Sequence, residues 1–407
     1  MLKHIGFENF KCISGKEFDL SHVNVFTGYN GRGKSSVMQA ILMLSQSVKK
    51  DDANSIAHLH VNGSMVNLGD LDEVMADPDL FEFGIKMVLT NTTDHKVELR
   101  YEMTDDYKVG QLCRCLIDED NYFDTPSAMK KDVQEQKEEI KGDLKQLPMF
   151  LYNHFWSQYV HYVSADRIGP VKFVERDELP EFFTVGADGS RTINTLSAYQ
   201  EKVCSQMNVS PADTEEHDLL TAATMWLNEI MTGGSVEVSG SAIRKDADSS
   251  KKSTILKLNF DVRDEGRSYP NYNVGYGYSY VLSIIVTALI AKEGDMVIVE
   301  NPEAHLHPEA QLKLTYLLAK LGGRGVQVFI ETHSEHVVNG IRLAALKSDF
   351  KLSNDDVRIF FFDRDFSKTD LKLEKNGKIA NWPMRFFDQY QRELSEIITL
   401  GAQQNGS

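Results

Sequence analysis

The first fifty residues consist of short apolar runs that alternate with polar positions and then change to a helical spacing. Residues 2–10 and 18–20 alternate loosely, which predicts two antiparallel strands of a half-buried sheet. The β-rich run at 23–27 predicts a more central strand. Apolar residues then recur at helical spacing from Val37 to Val48. The order along the chain is therefore strand, glycine-rich segment and helix.

The middle of the chain carries less regular patterns. Residues 61–125 are rich in β-forming residues, and charged residues dominate 127–147, which predicts one exposed helix. The other predicted segments are strands at 81–90, 96–103 and 112–117, a strand within 158–168, helices within 195–232 and a polar loop over 239–252.

Strand and helix patterns alternate in the last third of the chain. The predicted elements are a helix at 281–291, a strand at 296–299, a helix at 308–320, a strand at 326–330, a helix at 335–346, strands at 357–362 and 369–374, and a short closing helix. Such alternation is typical of parallel strands covered by helices. We therefore predict an α/β fold with a mixed sheet, parallel core strands flanked by helices, an antiparallel N-terminal β-subdomain and a helical insertion.

Length and composition limit the class of protein. The 407 residues suggest an N-terminal lobe at 1–105, an insertion at 106–270, a C-terminal lobe at 271–392 and a tail at 393–407. No apolar run reaches the roughly 18 residues of a membrane span. Four cysteines are too few for a disulfide framework and the start of the chain is no secretory signal, which favours a cytoplasmic location. The net charge of −16 disfavours nucleic-acid binding except through local contacts, for which the candidates are Lys172, Lys245, Lys251 and Lys252.

A complete phosphate-binding loop lies between the predicted central strand and its helix. Gly28, Gly33, Lys34 and Ser35 match the pattern G-x-x-x-x-G-K-S in the strand-to-helix context that such a loop requires. Glycines permit positive φ and leave backbone N–H groups free for phosphates, and the helix N-terminus adds its dipole. Lys34 supplies charge to the β- and γ-phosphates, and the Ser35 hydroxyl is a ligand for Mg²⁺. The predicted nucleotide-binding residues are Asn30, Gly31, Gly33, Lys34, Ser35 and Ser36.

Two later strands end in polar residues at the edge of the sheet where ligands bind. The apolar run 296–299 ends at Glu300, which we predict to hold the Mg²⁺ shell through water. The run 326–330 leads to His333, which we predict to reach the γ-phosphate or the attacking water.

In this order the motifs resemble the ATP-binding-cassette heads of the chromosome-maintenance and recombination type. They are most similar to the branch that includes the overcoming-lysogenization-defect proteins and the ATPase subunit of the Septu phage-defence system. The matching segments are IGFENFK at 5–11, the phosphate loop, GYGYS at 275–279, IVENPEAHLHP at 298–308, ETHSEH at 331–336 and, as a C-terminal cap, NGKIANWPMRFFDQ at 376–389.

The resemblance implies that ATP and Mg²⁺ are held between two protomers. In such heads the phosphate loop of one copy faces a signature loop of another, which here corresponds to residues 273–280. Gly277 and Ser279 would then lie at the N-terminus of the predicted 281–291 helix, where they would cap the γ-phosphate. Tyr280 replaces a glutamine that is frequent in the family. We therefore expect a homodimer or higher homo-oligomer.

The resemblance also bears on hydrolysis. A glutamate that serves as general base usually follows the metal-associated acid, and Asn301 occupies that position. An amide cannot accept a proton, so either Glu303 substitutes or turnover is slow. We favour slow hydrolysis, with a catalytic set of Glu300, Asn301, Glu303 and His333. Arg167, in another matching segment, is expected to form a structural salt bridge or to relay the nucleotide state.

The leading hypothesis is an ATPase subunit that dimerises around MgATP and controls a partner effector, such as a nuclease, in bacterial antiphage defence. One alternative is a nuclease of the overcoming-lysogenization-defect type, with Asp363 and Asp365 as a metal pair. Another is a repair ATPase that binds DNA ends. The 74 residues after His333 are too few for a nuclease domain, and the negative charge disfavours DNA binding. The nucleotide-binding subunit of a transporter would require a more standard signature loop.

Overall fold

The computed structural model describes most of the chain. The described residues are 1–49, 52–90, 93–104, 107–124, 149–156, 159–177, 184–201, 217–231, 233–244, 252–263, 265–383 and 386–405. The predicted charged helix at 127–147 lies outside them, as do two candidate phosphate contacts, Lys245 and Lys251.

Seven strands near the N-terminus form an antiparallel sheet, which confirms the predicted β-subdomain. They are β1 Leu2–Glu8, β2 Glu17–Asp19, β4 His58–His60, β5 Glu82–Thr90, β6 Asp94–Met103, β7 Val109–Ile117 and β8 Asp120–Asp124. Their spatial order is β2, β1, β5, β6, β7 and β4, and β8 also pairs with β7. One face of this sheet is buried, because side chains on alternate positions of β5 and β7 are covered.

A second sheet contains the predicted parallel core. Its strands are β3 Val23–Gly28, β9 Val160–Val163, β14 Met296–Glu300, β15 Gln327–Glu331, β16 Val357–Phe362 and β17 Lys368–Leu371. In space they follow the order β17, β16, β3, β15, β14 and β9, and all neighbours are parallel except β16 and β17. The carboxyl ends of β3, β15 and β14 therefore lie side by side at one edge.

A small third sheet corrects one prediction. Its strands are β10 Val174–Glu175, β11 Ser235–Arg244, β12 Lys252–Asp261 and β13 Tyr269–Pro270. The polar loop predicted over 239–252 is wrong for residues 239–244, which continue β11, and for Lys252, which begins β12, whereas residues 245–251 lie outside the described part of the chain. Residues 240 and 241 are exposed, so no apolar alternation marks this part of the strand. Pairing with β12, from Ser235 with Asp261 to Arg244 with Lys252, defines it instead.

Helices cover both faces of the parallel sheet. They are α1 Lys34–Ser47, α2 Leu71–Val74, α3 Met149–Phe155, α4 Thr192–Tyr199, α5 Leu219–Met231, α6 Tyr276–Ile290, α7 Pro308–Gly322, α8 Glu335–Ala344 and α9 Gln389–Asn405. Caps explain two of the starts: Pro308 occupies the first turn of α7, and the Ser334 hydroxyl accepts from backbone N–H groups of α8. The long apolar pattern at 195–232 is divided into α4 and α5, with residues 202–216 outside the described part. Helix α9 crosses the predicted boundary at residue 392.

Two hydrophobic cores lie on opposite faces of the parallel sheet. Side chains alternate along β3, so Val25 joins the core that α5 to α8 cover, whereas Phe26 joins the core beneath the antiparallel sheet and α1. Under the end of β3 lies an aromatic cluster, which we define as Phe18, Phe26, Phe360 and Phe362. Ring centroids in it are 5.0 Å apart for Phe26 and Phe360 and 6.0 Å apart for Phe18 and Phe362.

The predicted α/β fold class is confirmed by these layers. A parallel core lies between helices and an antiparallel N-terminal subdomain, as the alternation of patterns indicated. No helix in the described part of the chain combines the length and the apolar character that a membrane crossing requires. The boundaries proposed for four domains stay a prediction.

Candidate functional site

The phosphate loop connects β3 to α1 in a conformation that requires glycine at two positions. Gly28 has φ of 123° and Gly33 has φ of 103°, both in the region that favours glycine. A Cβ atom on Gly28 would lie 2.2 Å from the Phe362 carbonyl oxygen, and one on Gly33 would lie 2.6 Å from Ile13 Cγ2. The glycines therefore allow the loop to lie directly on its neighbours, with Asn30 and Gly31 exposed at its tip.

Lys34 begins α1 and turns back under the loop. Its side chain is 3% exposed, and Nζ donates to the carbonyl oxygens of Gly28 at 3.2 Å and Tyr29 at 2.8 Å. Burial lowers the pKa of this ammonium, while Glu331 and Glu303 oppose the shift. Ser35 and Ser36 follow in the first turn of α1, whose leading N–H groups have no partner within the helix. This arrangement presents positive potential to an anion above the loop.

Glu300 lies at the end of β14, on the same edge as the phosphate loop. Its Oε2 atom accepts from the Ala165 backbone N–H at 3.2 Å, and Tyr162 also hydrogen-bonds to the carboxylate. Burial raises the pKa of Glu300 above its usual value. The strand register places the Cα atom of Glu300 directly beside that of Glu331 in β15. The prediction that a carboxylate ends this strand near the loop is consistent with the geometry, and its role toward Mg²⁺ stays a prediction.

Asn301 and Glu303 follow Glu300 in a tight turn. Asn301 has a positive φ of 44°, a conformation that asparagine tolerates better than most residues. Its backbone N–H donates to the Glu331 carbonyl oxygen at 2.8 Å, and its buried Oδ1 atom has no partner among the described residues. Glu303 accepts from the Thr332 hydroxyl at 2.8 Å and from the His333 N–H at 2.7 Å. Both of its oxygen atoms therefore hold the neighbouring turn, which leaves it poorly placed as a free base.

His333 contacts the phosphate loop from the β15 side. Burial and the nearby charge of Lys34 lower its pKa, and a hydrogen bond with the backbone of Gly28 opposes the shift. The imidazole is therefore mostly neutral near pH 7. No group of three histidine, cysteine or carboxylate side chains in the described ranges is arranged to hold a metal ion by itself. Mg²⁺ fits this edge only if hydroxyl, carboxylate and phosphate oxygens share the coordination, as that ion prefers.

A family model for the AAA ATPase domain matches residues 1–207 and 190–338, which together exceed half of the chain. The chain belongs to the AAA ATPase domain family. A second model, described as a protein of unknown function, DUF3696, matches residues 352–397. No curated protein matches the chain.

Solved structures that match this chain include SMC head domains and a recombination mediator protein. An SMC head bound to the C-winged helix domain of ScpA has 11% identity and a TM-score of 0.48, covering 93% of this chain and 99% of that one. The SMC head domain from Thermotoga maritima has 9% identity and a TM-score of 0.42, covering 92% and 99%. The recombination mediator protein RecF has 13% identity and a TM-score of 0.40, covering 91% and 98%. The family assignment rests on the domain model.

Arg167 connects three parts of the ATPase domain. Its guanidinium donates to the carbonyl oxygens of Ser164 at 3.0 Å, Glu300 at 2.8 Å and Asn301 at 2.7 Å, and it lies 5.2 Å from the centre of the Tyr280 ring. Burial lowers the pKa of Arg167 to about 10. Within the described residues its hydrogen-bond partners are backbone carbonyls, so the expected salt bridge is replaced by a link between β9, β14 and α6.

The signature segment is more helical than predicted. Helix α6 begins at Tyr276 rather than at residue 281, with Gly275 as its N-cap, so Gly277 and Ser279 lie within its first turns. A Cβ atom on Gly277 would lie 2.8 Å from the His305 carbonyl oxygen. The Ser279 hydroxyl is buried and has no partner among the described residues, and its contact with a nucleotide stays a prediction. Tyr276, 57% exposed, is the side chain that the helix start presents to solvent.

Glu331 is a site residue of the ATPase domain that sequence reasoning missed. It is 7% exposed, its Oε1 atom lies 3.9 Å from Lys34 Nζ, and its Oε2 atom has no partner in the described part of the chain. The signal was present, because Glu331 ends an apolar strand in the same way that Glu300 does. In the motif ETHSEH at 331–336, only His333 was given a predicted role.

The pKa of Glu331 predicts a dependence of stability on pH. Burial, aided by Glu300 and Glu303, raises this pKa from 4.5 to about 7, although Lys34 and a hydrogen bond with Ser35 oppose the shift. The stabilising contribution is therefore complete below pH 4.5 and is lost as the pH rises through 7. In protein free of nucleotide and Mg²⁺, we expect ionisation of Glu331 to lower the free energy of unfolding by about 2.5 kcal/mol between pH 5 and pH 8.

Chemical denaturation of wild type and Glu331→Gln at both pH values measures this contribution. The variant should lose the Glu331 share of the pH dependence and should be the more stable protein at pH 8. Glu335→Gln, an exposed glutamate at the start of α8, serves as the control. Equal differences between wild type and Glu331→Gln at the two pH values would contradict the prediction.

A cavity of about 260 Å³ opens beside the phosphate loop of the ATPase domain. Tyr29 and His333 line one side, and Phe386, Phe387 and Arg392 line the other. The last three belong to or adjoin the segment that resembles a C-terminal cap. The C-terminal region therefore reaches the nucleotide-binding edge of the sheet.

Proposed function

We propose that this chain is an ATPase that binds MgATP, hydrolyses it slowly and associates with a second copy around the nucleotide. The proposal rests on one observation: a phosphate loop with a buried lysine lies beside two adjacent strands that end in carboxylates, the partly buried Glu300 and the buried Glu331. ATP rather than another triphosphate follows from membership of the ATPase family. Ser35 and Glu300 would hold Mg²⁺, which would neutralise phosphate charge and orient the phosphates.

The residues around the loop account for binding and for slow chemistry. The N–H groups at the start of α1 and the Lys34 ammonium attract phosphate oxygens, and Lys34 exchanges its loop carbonyl partners for them. His333, which contacts the backbone of Gly28, would donate a hydrogen bond to the terminal phosphate. Asn301 cannot accept a proton from water, and both oxygens of Glu303 are engaged elsewhere. Since neither Asn301 nor Glu303 supplies a free general base, hydrolysis is slow and bound ATP persists, as a nucleotide-dependent switch requires.

Association through α6 is supported by what its N-terminus presents. Unpaired N–H groups at a helix start attract anions, and the exposed Tyr276 lies beside them. Arg167 joins this helix to the turn that contains Asn301, so a nucleotide clasped between copies is connected to both. A partner effector such as a nuclease, and a role in antiphage defence, are proposed from the resemblance of segments 298–308 and 331–336 alone.

Light scattering during size-exclusion chromatography tests the association. With Mg²⁺ and a non-hydrolysable ATP analogue, wild type should have the mass of two chains or more, and without nucleotide the mass of one. Tyr276→Asp should weaken association at least tenfold, because it places a negative charge where the γ-phosphate of the other copy would lie. Tyr390→Asp, at an exposed tyrosine of α9, should leave association unchanged. A monomer at saturating nucleotide would refute the dimer proposal.

A further inference from the structure

Glu331 has a position and an environment that the rest of the fold does not explain. It ends β15, between the phosphate loop that follows β3 and the turn that follows β14. Its Cα atom pairs with Glu300 on one side and with Phe26 on the other. Two carboxylates therefore stand side by side at the ends of adjacent parallel strands, a juxtaposition that is repulsive unless a cation separates them.

One of the two carboxylate oxygens of Glu331 has no hydrogen-bond partner among the described residues. Oε1 is 3.9 Å from Lys34 Nζ, too far for a hydrogen bond, and that ammonium already donates to two loop carbonyls. Oε2 is buried and accepts no hydrogen bond from any described residue. A side chain 93% buried with an unsatisfied oxygen is costly unless a ligand completes it.

We propose that Glu331 is a direct ligand of the Mg²⁺ ion that accompanies ATP, together with the Ser35 hydroxyl and the carboxylate of Glu300. Mg²⁺ is held in nucleotide sites by one or two carboxylates, a hydroxyl, phosphate oxygens and water, and this set fits that chemistry. Ser35, which hydrogen-bonds with Glu331, and Glu300, which is beside it in register, supply the other oxygens. The unsatisfied Oε2 atom is the atom assigned to the metal. The inference rests on the proposed function, because the ion is brought by the nucleotide.

Competing roles for Glu331 predict different behaviour. A counter-ion that only positions Lys34 would affect nucleotide binding equally with and without Mg²⁺. A metal ligand affects binding only when the metal is present. Glu331→Gln keeps the shape of the side chain and removes its charge, and Glu331→Asp keeps the charge and shortens the reach, so the two variants separate charge from contact.

Titration calorimetry with an ATP analogue, in Mg²⁺ and in EDTA, tests the assignment. In wild type, Mg²⁺ should strengthen nucleotide binding. In Glu331→Gln this gain should be smaller by about tenfold or more, which is the usual effect of removing a group from a metal site. The affinity of the variant in EDTA should stay unchanged or rise. In Glu335→Gln, the exposed control, the gain should be retained. An equal loss in both buffers, or no loss in either, would overturn the proposal.

Electron paramagnetic resonance of Mn²⁺ supplies a readout that does not depend on affinity for the nucleotide. With the analogue saturating, wild type should bind one Mn²⁺ per site, and Glu331→Gln should need about tenfold more free Mn²⁺ to reach half saturation. Unchanged Mn²⁺ binding in both Glu331 variants would refute the role of Glu331 and leave the ATPase proposal standing. Absence of nucleotide binding by wild type would refute the ATPase proposal itself.

Discussion

Replacement of Lys34 with alanine is expected to lower ATP affinity about 100-fold, since loss of a buried charge from such a contact costs several kcal/mol. This ammonium donates to the carbonyl oxygens of Gly28 and Tyr29, which hold it at the loop. Binding therefore exchanges neutral acceptors for phosphate oxygens, which form stronger hydrogen bonds with a cation. A fluorescent ATP analogue titrated into wild type and variant measures the difference.

Arg32→Ala is the matched control for this prediction. Arg32 belongs to the same loop and carries the same charge, but its guanidinium lies 4.3 Å from the centre of the Phe366 ring and donates to the Gly31 carbonyl oxygen. Its removal should change ATP affinity less than about threefold, since solvent screens the charge of a side chain that is only partly buried. If Arg32→Ala and Lys34→Ala lost the same affinity, the general charge of the loop, and not the buried ammonium, would govern binding.

Gly28→Ala is expected to lower the free energy of unfolding by about 3 kcal/mol, because strained backbone and overpacking add. The new Cβ atom would lie 2.2 Å from the backbone oxygen of Phe362, which cannot move as a flexible side chain does. That oxygen also accepts from the Tyr29 N–H at 3.0 Å, so the contact between the loop and β16 would open. Guanidinium unfolding measures the loss, and nucleotide titration should show a parallel loss of binding.

Gly31→Ala separates backbone strain from steric overlap. Gly31 has φ of 67° and its Cβ position meets nothing within 4 Å, so only the left-handed conformation opposes alanine. The expected loss is about 1 kcal/mol. Equal losses for the two variants would show that the contact with Phe362 contributes nothing.

The phosphate loop could be predicted from the sequence because its chemistry is contiguous. Gly28, Gly33, Lys34 and Ser35 lie within eight positions, and the flanking strand and helix have clear periodicities. Glu300 was predicted for the same reason, at the end of a strand whose apolar run is unbroken. At these residues the sequence pattern of a few neighbouring positions is enough to define the local backbone structure. The fold class was predicted from the alternation of strands and helices.

Elements that depend on distant partners were predicted less well. The start of α6 contains Gly277 and several tyrosines, which are weak helix formers, and its close contact with the His305 carbonyl explains the glycine only in three dimensions. The end of β11 is polar and is defined by its pairing with β12. The role of Glu331 depends on its proximity to Lys34 and Glu300, which are far from it along the chain. Glu303 was considered as an alternative base from its position in the sequence, where its two hydrogen bonds to the turn after β15 are not visible.

The aromatic cluster beneath β3 restricts movement of the phosphate loop. Moving the loop would separate the stacked rings of Phe26 and Phe360, which are fully buried and in close contact. At the start of α6, the rings of Tyr276 and Tyr280 both contact His305, and Tyr280 also lies beside Arg167. Aromatic packing therefore holds both the loop and the helix start, and we expect nucleotide to meet a loop whose shape is already set.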